Sequence, residues 1–237
     1  MKVKAGGEWG RGLTRYKRQG NWIKPRSTWR KDGSKWVKVG VNYYLENQKL
    51  RHYATGLAVA QHYDSGAMLG LNAIERTLNG RDCVDFLNKG WIKMSDLLLP
   101  ATWTINLWYY ARNFTDYQHF FTYSGNQGNF TFKMSPTYPG RPYIYFNGNS
   151  YRSTAAMSAT GWNMVTLSYD GSSYRMYING VLSDRHIVTY RPPRGDYLCG
   201  SINEEATGEK NVGLASDLVI YDNLLSQAEI TELYNNW

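Results

Sequence analysis

The sequence predicts an all-β protein, a β-sandwich with one short C-terminal helix that is preceded by a basic, tryptophan-rich arm of short β-hairpins. Three observations predict this class. Short segments alternate apolar and polar residues, Asn-Gly and Asp-Gly dipeptides separate them, and no helical segments alternate with them. Many short strands joined by tight turns are typical of a sandwich and not of an α/β sheet.

Alternation and turn residues locate the main strands. They are predicted within residues 102–113, 129–134, 143–149, 162–183 and 217–221. The turns are predicted at Asn147-Gly148, Asp170-Gly171 and Asn179-Gly180, because these residues tolerate positive φ. Residues 162–183 therefore form two successive hairpins.

One helix is predicted near the C-terminal end. Ser226 and Glu229 have the spacing of a capping box, and Ile230, Leu233 and Tyr234 form an apolar stripe after it. Because so short a helix is not stable alone, we expect it to pack on the sheet edge.

Composition excludes several classes of protein. The 237 residues are 42% apolar and 19% charged, enough for a sizeable core. No run of about 18 apolar residues exists, so no membrane insertion is expected. The start MKVKAGGEWG has no apolar segment, so no secretory signal is expected. Cys83 and Cys199 are predicted to be core thiols, which suits synthesis in a reducing cytoplasm.

Positive charge is concentrated at the start of the chain. Residues 1–40 hold twelve Lys and Arg against Glu8 and Asp32, which leaves fifteen basic and seventeen acidic residues in the rest. We therefore divide the chain into an anchoring arm (1–45), a connector with one helical turn (46–55) and a sandwich (56–237). The arm is predicted to form two or three hairpins with Trp on one face and Lys/Arg on the other.

Such a ribbon cannot bury its tryptophans alone, so a partner surface is expected. The predicted partner-binding residues are Trp9, Trp22, Trp29, Trp36, Arg26, Arg30, Lys31 and Lys35. Lys and Arg residues interleaved with tryptophans are also typical of a surface that binds nucleic acid. The regular spacing of the tryptophans and the Gly-bearing turns favour a protein interface, with tryptophans as its main contacts.

Five segments, in order, resemble a known superfamily. They are GLAVAQHYDSG (56–66), CVDFLNKGWIKM (83–94), WTINLW (103–108), GWNMVTLSYDGSSYRMYINGVL (161–182) and LASDLVIYDNLLSQAEITELY (214–234). Together they make residues 55–237 similar to the laminin-G-like jelly rolls of the concanavalin A-like lectin/glucanase superfamily. That fold hosts lectins, glucanases and adhesion modules, so the resemblance implies fold more than function. The arm more weakly resembles Trp/Lys-rich hairpin segments of bacteriophage virion structural proteins.

Catalytic motifs are absent from the sequence. Hydrolases of the superfamily carry Glu-x-Asp-x-x-Glu on one strand face, and this chain has no such run. Glu204, Glu205 and Glu209 are predicted to lie in a solvated loop, and Asp82 and Asp85 on opposite strand faces. We therefore expect a non-catalytic protein, with a divergent glycoside hydrolase as an alternative.

The resemblance implies that calcium could bind near the rim of the sandwich. The candidate ligands are Asp64, Asp170 and Asp217, although the family often shows a second acid where this chain has Ser216. Asp170 is equally explained as a turn former. No other cofactor is expected.

Sugar binding requires aromatic faces with amide and charged donors on rim loops. The predicted ligand-binding residues are Tyr123, Asn126, Gln127, Tyr138, Arg141, Asn147, Asn149, Tyr151, Arg152, Tyr190, Arg191 and Arg194. Trp103, Trp108 and Trp162 lie on strands and are predicted to be core residues instead.

These observations predict a virion protein, assembled in the host cytoplasm and present in many copies on a phage head or tail. Its arm would bind other virion structural proteins, and its sandwich would bind a host-surface glycan. Many weak sites on one particle give avidity. The alternatives are a purely structural capsid-decoration or tail protein without a glycan ligand, the hydrolase, and nucleic-acid binding through the arm.

Overall fold

The computed structural model describes the backbone of eight strands between residues 2 and 53. It also describes residues 67–235 apart from 71–72, 80, 88–89, 126–129, 204–211 and 222. The strands are β1 (Lys2–Ala5), β2 (Glu8–Arg11), β3 (Tyr16–Arg18), β4 (Asn21–Ile23), β5 (Trp29–Asp32), β6 (Lys35–Lys38), β7 (Val41–Glu46), β8 (Lys49–Tyr53), β9 (Ala67–Gly70), β10 (Ile74–Leu78), β11 (Arg81–Asp85), β12 (Trp91–Leu97), β13 (Trp103–Tyr110), β14 (Gln118–Tyr123), β15 (Thr131–Met134), β16 (Pro142–Phe146), β17 (Asn149–Arg152), β18 (Trp162–Tyr169), β19 (Ser173–Ile178), β20 (Val181–Ile187), β21 (Gly195–Cys199) and β22 (Leu214–Tyr221), and the helix is α1 (Gln227–Asn235).

The strands from β7 onward form the antiparallel sheets of a sandwich, as the sequence predicts. One layer has the order β7-β22-β13-β18-β19-β20, and the other has the order β9-β12-β21-β14-β15-β16-β17. Strand β8 pairs with both β7 and β9 and so connects the two layers. The free edge of β22 is shared, because β11 pairs with its first half and β7 with its second half.

Alternation along β13 explains the core. Trp103, Ile105, Leu107 and Tyr109 are all completely buried between the layers, because every second residue of a strand lies on the same face. The Trp103 ring contacts Phe130 of the opposite layer edge-on, with centroids 6.4 Å apart. The prediction that Trp103 belongs to the core is confirmed.

A second apolar cluster covers the other face of β13. Trp108 packs there with Met164, Tyr177 and Ile230, and the Tyr234 ring stacks on Trp108 with centroids 5.7 Å apart. The helix therefore contacts the edge strand β20, as predicted, and also extends over the outer face of the sheet. The apolar stripe of the helix covers more apolar area on the face of the sheet than it would on the edge alone.

The capping box is confirmed atom by atom. The backbone N–H of Ser226 donates to Glu229 Oε2 at 2.9 Å, and the backbone N–H of Glu229 donates to Ser226 Oγ at 3.3 Å. These bonds satisfy donors that the first helical turn leaves without partners.

The arm contains three separate hairpins, β1–β2, β3–β4 and β5–β6. Their registers place Lys4 opposite Trp9, Lys17 opposite Trp22 and Lys31 opposite Trp36. Directly opposed residues of an antiparallel pair share a face. The register of each hairpin therefore opposes a lysine position to a tryptophan position and contradicts the predicted separation of Trp from Lys/Arg.

The predicted connector also differs from the structure. Residues 49–53 form strand β8 where a helical turn is predicted, and β7 pairs Val41 with Ile220 in the sandwich sheet. The alternation of YYLE and KLRHY is weak, so the sequence signal for this hairpin is poor. The domain limits themselves stay predictions.

Cys83 and Cys199 are buried free thiols, as predicted, and burial raises the pKa of Cys199. In the part of the chain that the structure describes, no helix is long and apolar enough to cross a membrane.

Candidate functional site

Three of the predicted ligand-binding residues meet at the rim beside the β16–β17 hairpin. We call Tyr138, Arg141 and Arg152 the rim cluster. The loop before β16 turns twice, because the N–H of Tyr138 donates to the carbonyl of Ser135 and the N–H of Arg141 donates to that of Tyr138, each at 3.1 Å. The N–H of Ser153 donates to the carbonyl of Pro142 at 2.8 Å, which holds the end of β17 beside this loop.

A cation–aromatic contact joins the loop to the strand. The guanidinium carbon of Arg152 lies 3.1 Å from the centre of the Tyr138 ring, while 39% of Tyr138 remains exposed. Arg152 is half-buried, and its Nε is buried with no hydrogen-bond partner among the described residues. A buried N–H without an acceptor is unfavourable by about 1–3 kcal/mol. The terminal Nη groups of Arg152 are not buried and also have no acceptor among the described residues, so they are the donors that a ligand can reach.

Arg141 and Arg152 also differ from the other described arginines in their charge partners. Within the described ranges, neither guanidinium has a carboxylate or another hydrogen-bond acceptor. The remaining arginines of residues 67–235 have these partners: Arg76 and Arg112 contact Asp85, Arg175 contacts Asp170, Arg185 contacts Ser173, Arg191 contacts the Leu99 carbonyl, Arg194 contacts Asp96, and Arg81 lies over Trp108 and Trp162. The rim cluster therefore carries uncompensated positive charge.

Three other predicted tyrosines, Tyr123, Tyr151 and Tyr190, are partly buried and pack against the core. Tyr151 and Tyr190 both stack on Phe146, with centroids 5.2 Å and 4.6 Å apart. Tyr123 packs against Tyr197 at 5.5 Å. Because these ring faces already contact core residues, the structure brings Tyr123, Tyr151 and Tyr190 into the packing beneath the surface.

The remaining predicted residues are spread more widely. Asn147 and Asn149 are exposed at the β16–β17 turn, where Asn149 Nδ2 donates to the Asn147 carbonyl at 3.1 Å. Arg194 forms an exposed ion pair with Asp96 at 2.5 Å, and Arg191 donates to the carbonyl of Leu99. Asn126 and Gln127, like Arg26 of the arm, lie outside the described residues.

The sequence analysis missed a neighbouring row of residues on the outer face of the same layer. The register aligns Lys133, Tyr143 and Arg152 across β15, β16 and β17. The Lys133 ammonium lies 4.7 Å from the centre of the Tyr117 ring. Alternation alone places Lys133 and Tyr143 on the outer faces of their strands, but the register was needed to align them with Arg152.

Two of the three predicted calcium ligands have partners within the chain. Asp170 Oδ1 accepts from the N–H groups of Ser172 and Ser173 at 2.9 and 2.7 Å, and Oδ2 lies 2.8 Å from Arg175. Burial opposes ionisation of Asp170, but these hydrogen bonds lower its pKa below the ordinary value. Its carboxylate therefore closes the β18–β19 hairpin.

Asp217 accepts from the Ser216 hydroxyl at 3.2 Å and lies in the field of the Arg81 guanidinium, which would oppose a bound cation. Desolvation by burial lowers the pKa of Arg81 to about 9, so it stays charged at neutral pH. Asp64 lies outside the described residues, and no group of three or more possible metal ligands occurs among those that the structure describes.

A hydrolase of this fold would need a carboxylic acid with a raised pKa beside a second carboxylate. The pKa values of Asp85 and Asp170 are both lowered instead, by hydrogen bonds that outweigh the opposing effect of burial. Asp96 and Asp196 are neighbours, since the Asp96 N–H donates to Asp196 Oδ1 at 2.8 Å. Arg194 and Lys93 neutralise this pair, with ion-pair distances of 2.5 and 2.9 Å.

Comparison with known proteins agrees with this architecture. The laminin-G family of the concanavalin A-like lectin/glucanases superfamily matches residues 87–231, more than half of the chain. A search of curated protein sequences finds no match.

Solved structures share the fold at low sequence identity. Domain 4 of AbnA, a GH43 extracellular arabinanase from Geobacillus stearothermophilus in complex with arabinotriose, has a TM-score of 0.64 at 15% identity, covering 83% of this chain and 98% of that one. The receptor binding domain of botulinum neurotoxin C/D mosaic serotype has a TM-score of 0.62 at 13% identity, covering 84% of this chain and 51% of that one.

A binding domain of botulinum neurotoxin DC in complex with rat synaptotagmin II has a TM-score of 0.60 at 10% identity, over 84% and 51% of the two chains. The chain thus spans about half the length of the toxin domains. At these identities the likeness concerns the fold alone. By its family match and its architecture, the chain belongs to the concanavalin A-like lectin/glucanases superfamily.

Proposed function

We propose that this protein is a non-catalytic carbohydrate-binding module whose arm anchors it to a phage particle. The observation that carries the proposal is the rim cluster, where the Arg152 guanidinium lies over the partly exposed Tyr138 ring, Arg141 follows in the same loop, and neither guanidinium has an acceptor among the described residues. An aromatic face with directional donors is the usual composition of a sugar site.

The fold supports this proposal without deciding it. Related structures include a domain bound to arabinotriose and a neurotoxin whose cell entry depends on two ganglioside molecules. Four described carboxylates support the absence of catalysis, because Asp85, Asp96, Asp170 and Asp196 each contact a cation of the chain.

A glycan array of the full chain tests sugar binding. We expect Tyr138→Ala to reduce binding at least about tenfold, because the exposed ring face is lost. Tyr234→Ala is the matched control, since Tyr234 is 36% exposed but lies on the helix. Loss of binding in both variants, or in neither, would contradict the assignment. A wild-type chain that binds no array glycan would instead favour a purely structural virion role.

The virion role rests on the arm. Three hairpins repeat the pairing of a lysine with a tryptophan, which favours a repeated contact with one kind of partner. An isolated hairpin is marginally stable, so a partner surface would stabilise each one. We expect a chain without residues 1–38 to be left out of assembled particles, as measured by immunoblotting of purified particles. Incorporation at the wild-type level would contradict the anchoring role.

A further inference from the structure

We propose that the rim cluster selects anionic saccharides, in which a carboxylate or sulfate group binds Arg141 and Arg152 while the sugar ring lies against Tyr138. This inference rests on the proposed carbohydrate-binding function and specifies the ligand class. Arg141 and Arg152 carry the positive charges at the rim. A neutral sugar would leave two guanidiniums without a counter-charge, whereas an anionic one supplies it.

Guanidinium geometry favours an anionic acceptor. A planar guanidinium donates two parallel N–H bonds to a carboxylate or sulfate, and such charge-assisted bonds are about twice as strong as neutral ones. The Nη groups of Arg152 are not buried and have no acceptor among the described residues, so ligand oxygens there satisfy donors that the fold leaves open. The charge of Arg152 is held in place by the Tyr138 ring, 3.1 Å away.

The backbone around the cluster is organised before a ligand binds. Gly140 has φ +73°, and a Cβ there would lie 3.1 Å from the carbonyl oxygen of Met157 and 3.2 Å from the Phe114 ring, so the loop fits closely against its neighbours. On the other side, Ser153 Oγ lies 2.7 Å from Ser183 Oγ, and the Thr154 N–H donates to Asp184 Oδ2 at 2.5 Å. These bonds attach the end of β17 to β20, so less ordering is required on binding.

The same bonds engage Asp184, an acidic residue next to the end of β17. Asp184 is occupied by the Thr154 N–H and the Ser183 hydroxyl, and it forms no ion pair with Arg152 among the described residues. The rim cluster therefore keeps its positive charge although Asp184 bonds Thr154, two residues after Arg152. Electrostatic attraction should then depend on ionic strength.

Titration calorimetry of the full chain tests the inference with three probes: an oligogalacturonate, its carboxyl-reduced neutral counterpart and a sulfated oligosaccharide. We expect Arg141→Gln and Arg152→Gln each to weaken binding of at least one anionic probe about tenfold or more. The neutral probe should bind weakly and equally in all variants. Arg185→Gln is the control, because it removes the same charge from an arginine bonded to Ser173. Arg152→Lys keeps the charge and should still weaken binding, because the fork is lost.

Four outcomes would overturn the inference. Equal weakening by Arg185→Gln would assign the effect to net charge. Equal affinity for the neutral and anionic probes would remove the anionic preference while leaving carbohydrate binding intact. If the chain binds neutral array glycans but none of the three probes, the anionic preference is likewise contradicted and carbohydrate binding is not. If the chain binds no saccharide at all, the proposed function itself is contradicted. A poly-glutamate peptide that binds as tightly as the anionic saccharides would reassign the cluster to an acidic protein surface. Circular dichroism checks folding of each variant.

Discussion

Asp85 is a completely buried carboxylate that accepts hydrogen bonds from two arginines. Arg112 donates to both of its oxygens, at 2.8 and 2.5 Å, and Arg76 donates at 2.6 Å. Removing one member of a buried ion pair leaves the other members without compensation. The residue therefore matters for stability and not for ligand binding.

We expect Asp85→Asn to lower the free energy of unfolding by about 2–4 kcal/mol, measured by urea denaturation. Asp96→Asn is the matched control, because its ion pair with Arg194 is exposed, and it should change the stability by about 1 kcal/mol or less. Similar losses in the two variants would contradict this account of Asp85.

Ionisation of Asp85 should make the free energy of unfolding depend on pH. Burial opposes its ionisation, but the hydrogen bonds from Arg112 and Arg76 lower the pKa of Asp85 below its ordinary value. A group with a lowered folded-state pKa contributes stability above its unfolded pKa of about 3.9, and that contribution is lost as the pH falls through the folded-state pKa. Urea denaturation from about pH 5 to pH 3 should therefore show a smaller loss of stability in Asp85→Asn than in the wild type. Parallel curves would contradict this linkage.

At the scale of the elements, two hairpins have equivalent turns in different surroundings. Asn147-Gly148 and Asn179-Gly180 both have positive φ at each residue. A Cβ on Gly148 would meet nothing within 4 Å, whereas one on Gly180 would lie 2.9 Å from Tyr234 Cβ. The Gly180 carbonyl also accepts from Gln227 and Thr231 at 2.6 and 3.0 Å, so the helix docks on this turn.

We expect Gly148→Ala to lower the free energy of unfolding by about 1 kcal/mol, the effect of a positive φ alone. Gly180→Ala should lower it by at least about 1 kcal/mol more, because the helix must move away from the new methyl group. Chemical denaturation of both variants measures the difference, and equal losses would show that the helix does not depend on this turn.

Local patterns predicted the elements better than their contacts. The Asn-Gly turns, the two faces of β13 and the capping box depend on neighbouring residues, and the sequence was sufficient for them. The contact between Tyr138 and Arg152 depends on the register of two strands and on a loop, which alternation does not specify.

At the scale of the whole molecule, the arm and the sandwich meet at β7. Val41 and Asn42 pair with β22, so the sandwich sheet begins before the predicted connector. Removing residues 1–38 should leave the melting temperature within about 2 °C of the wild type, whereas removing residues 1–46 should lower it by about 4 °C or more, because the second half of β22 loses its neighbour. Thermal circular dichroism of the two truncations measures this, and equal melting temperatures would contradict the role of β7.

The central proposal is that a saccharide binds to this protein at the rim beside β16 and β17. Chemical-shift mapping by NMR of the labelled full chain, titrated with the saccharide that binds most tightly on the array, locates the site directly. The account predicts that the largest shifts occur at Tyr138, Arg141 and Arg152, with little change in α1. Largest shifts in the arm, in β20 or in the helix, with the rim unchanged, would contradict it.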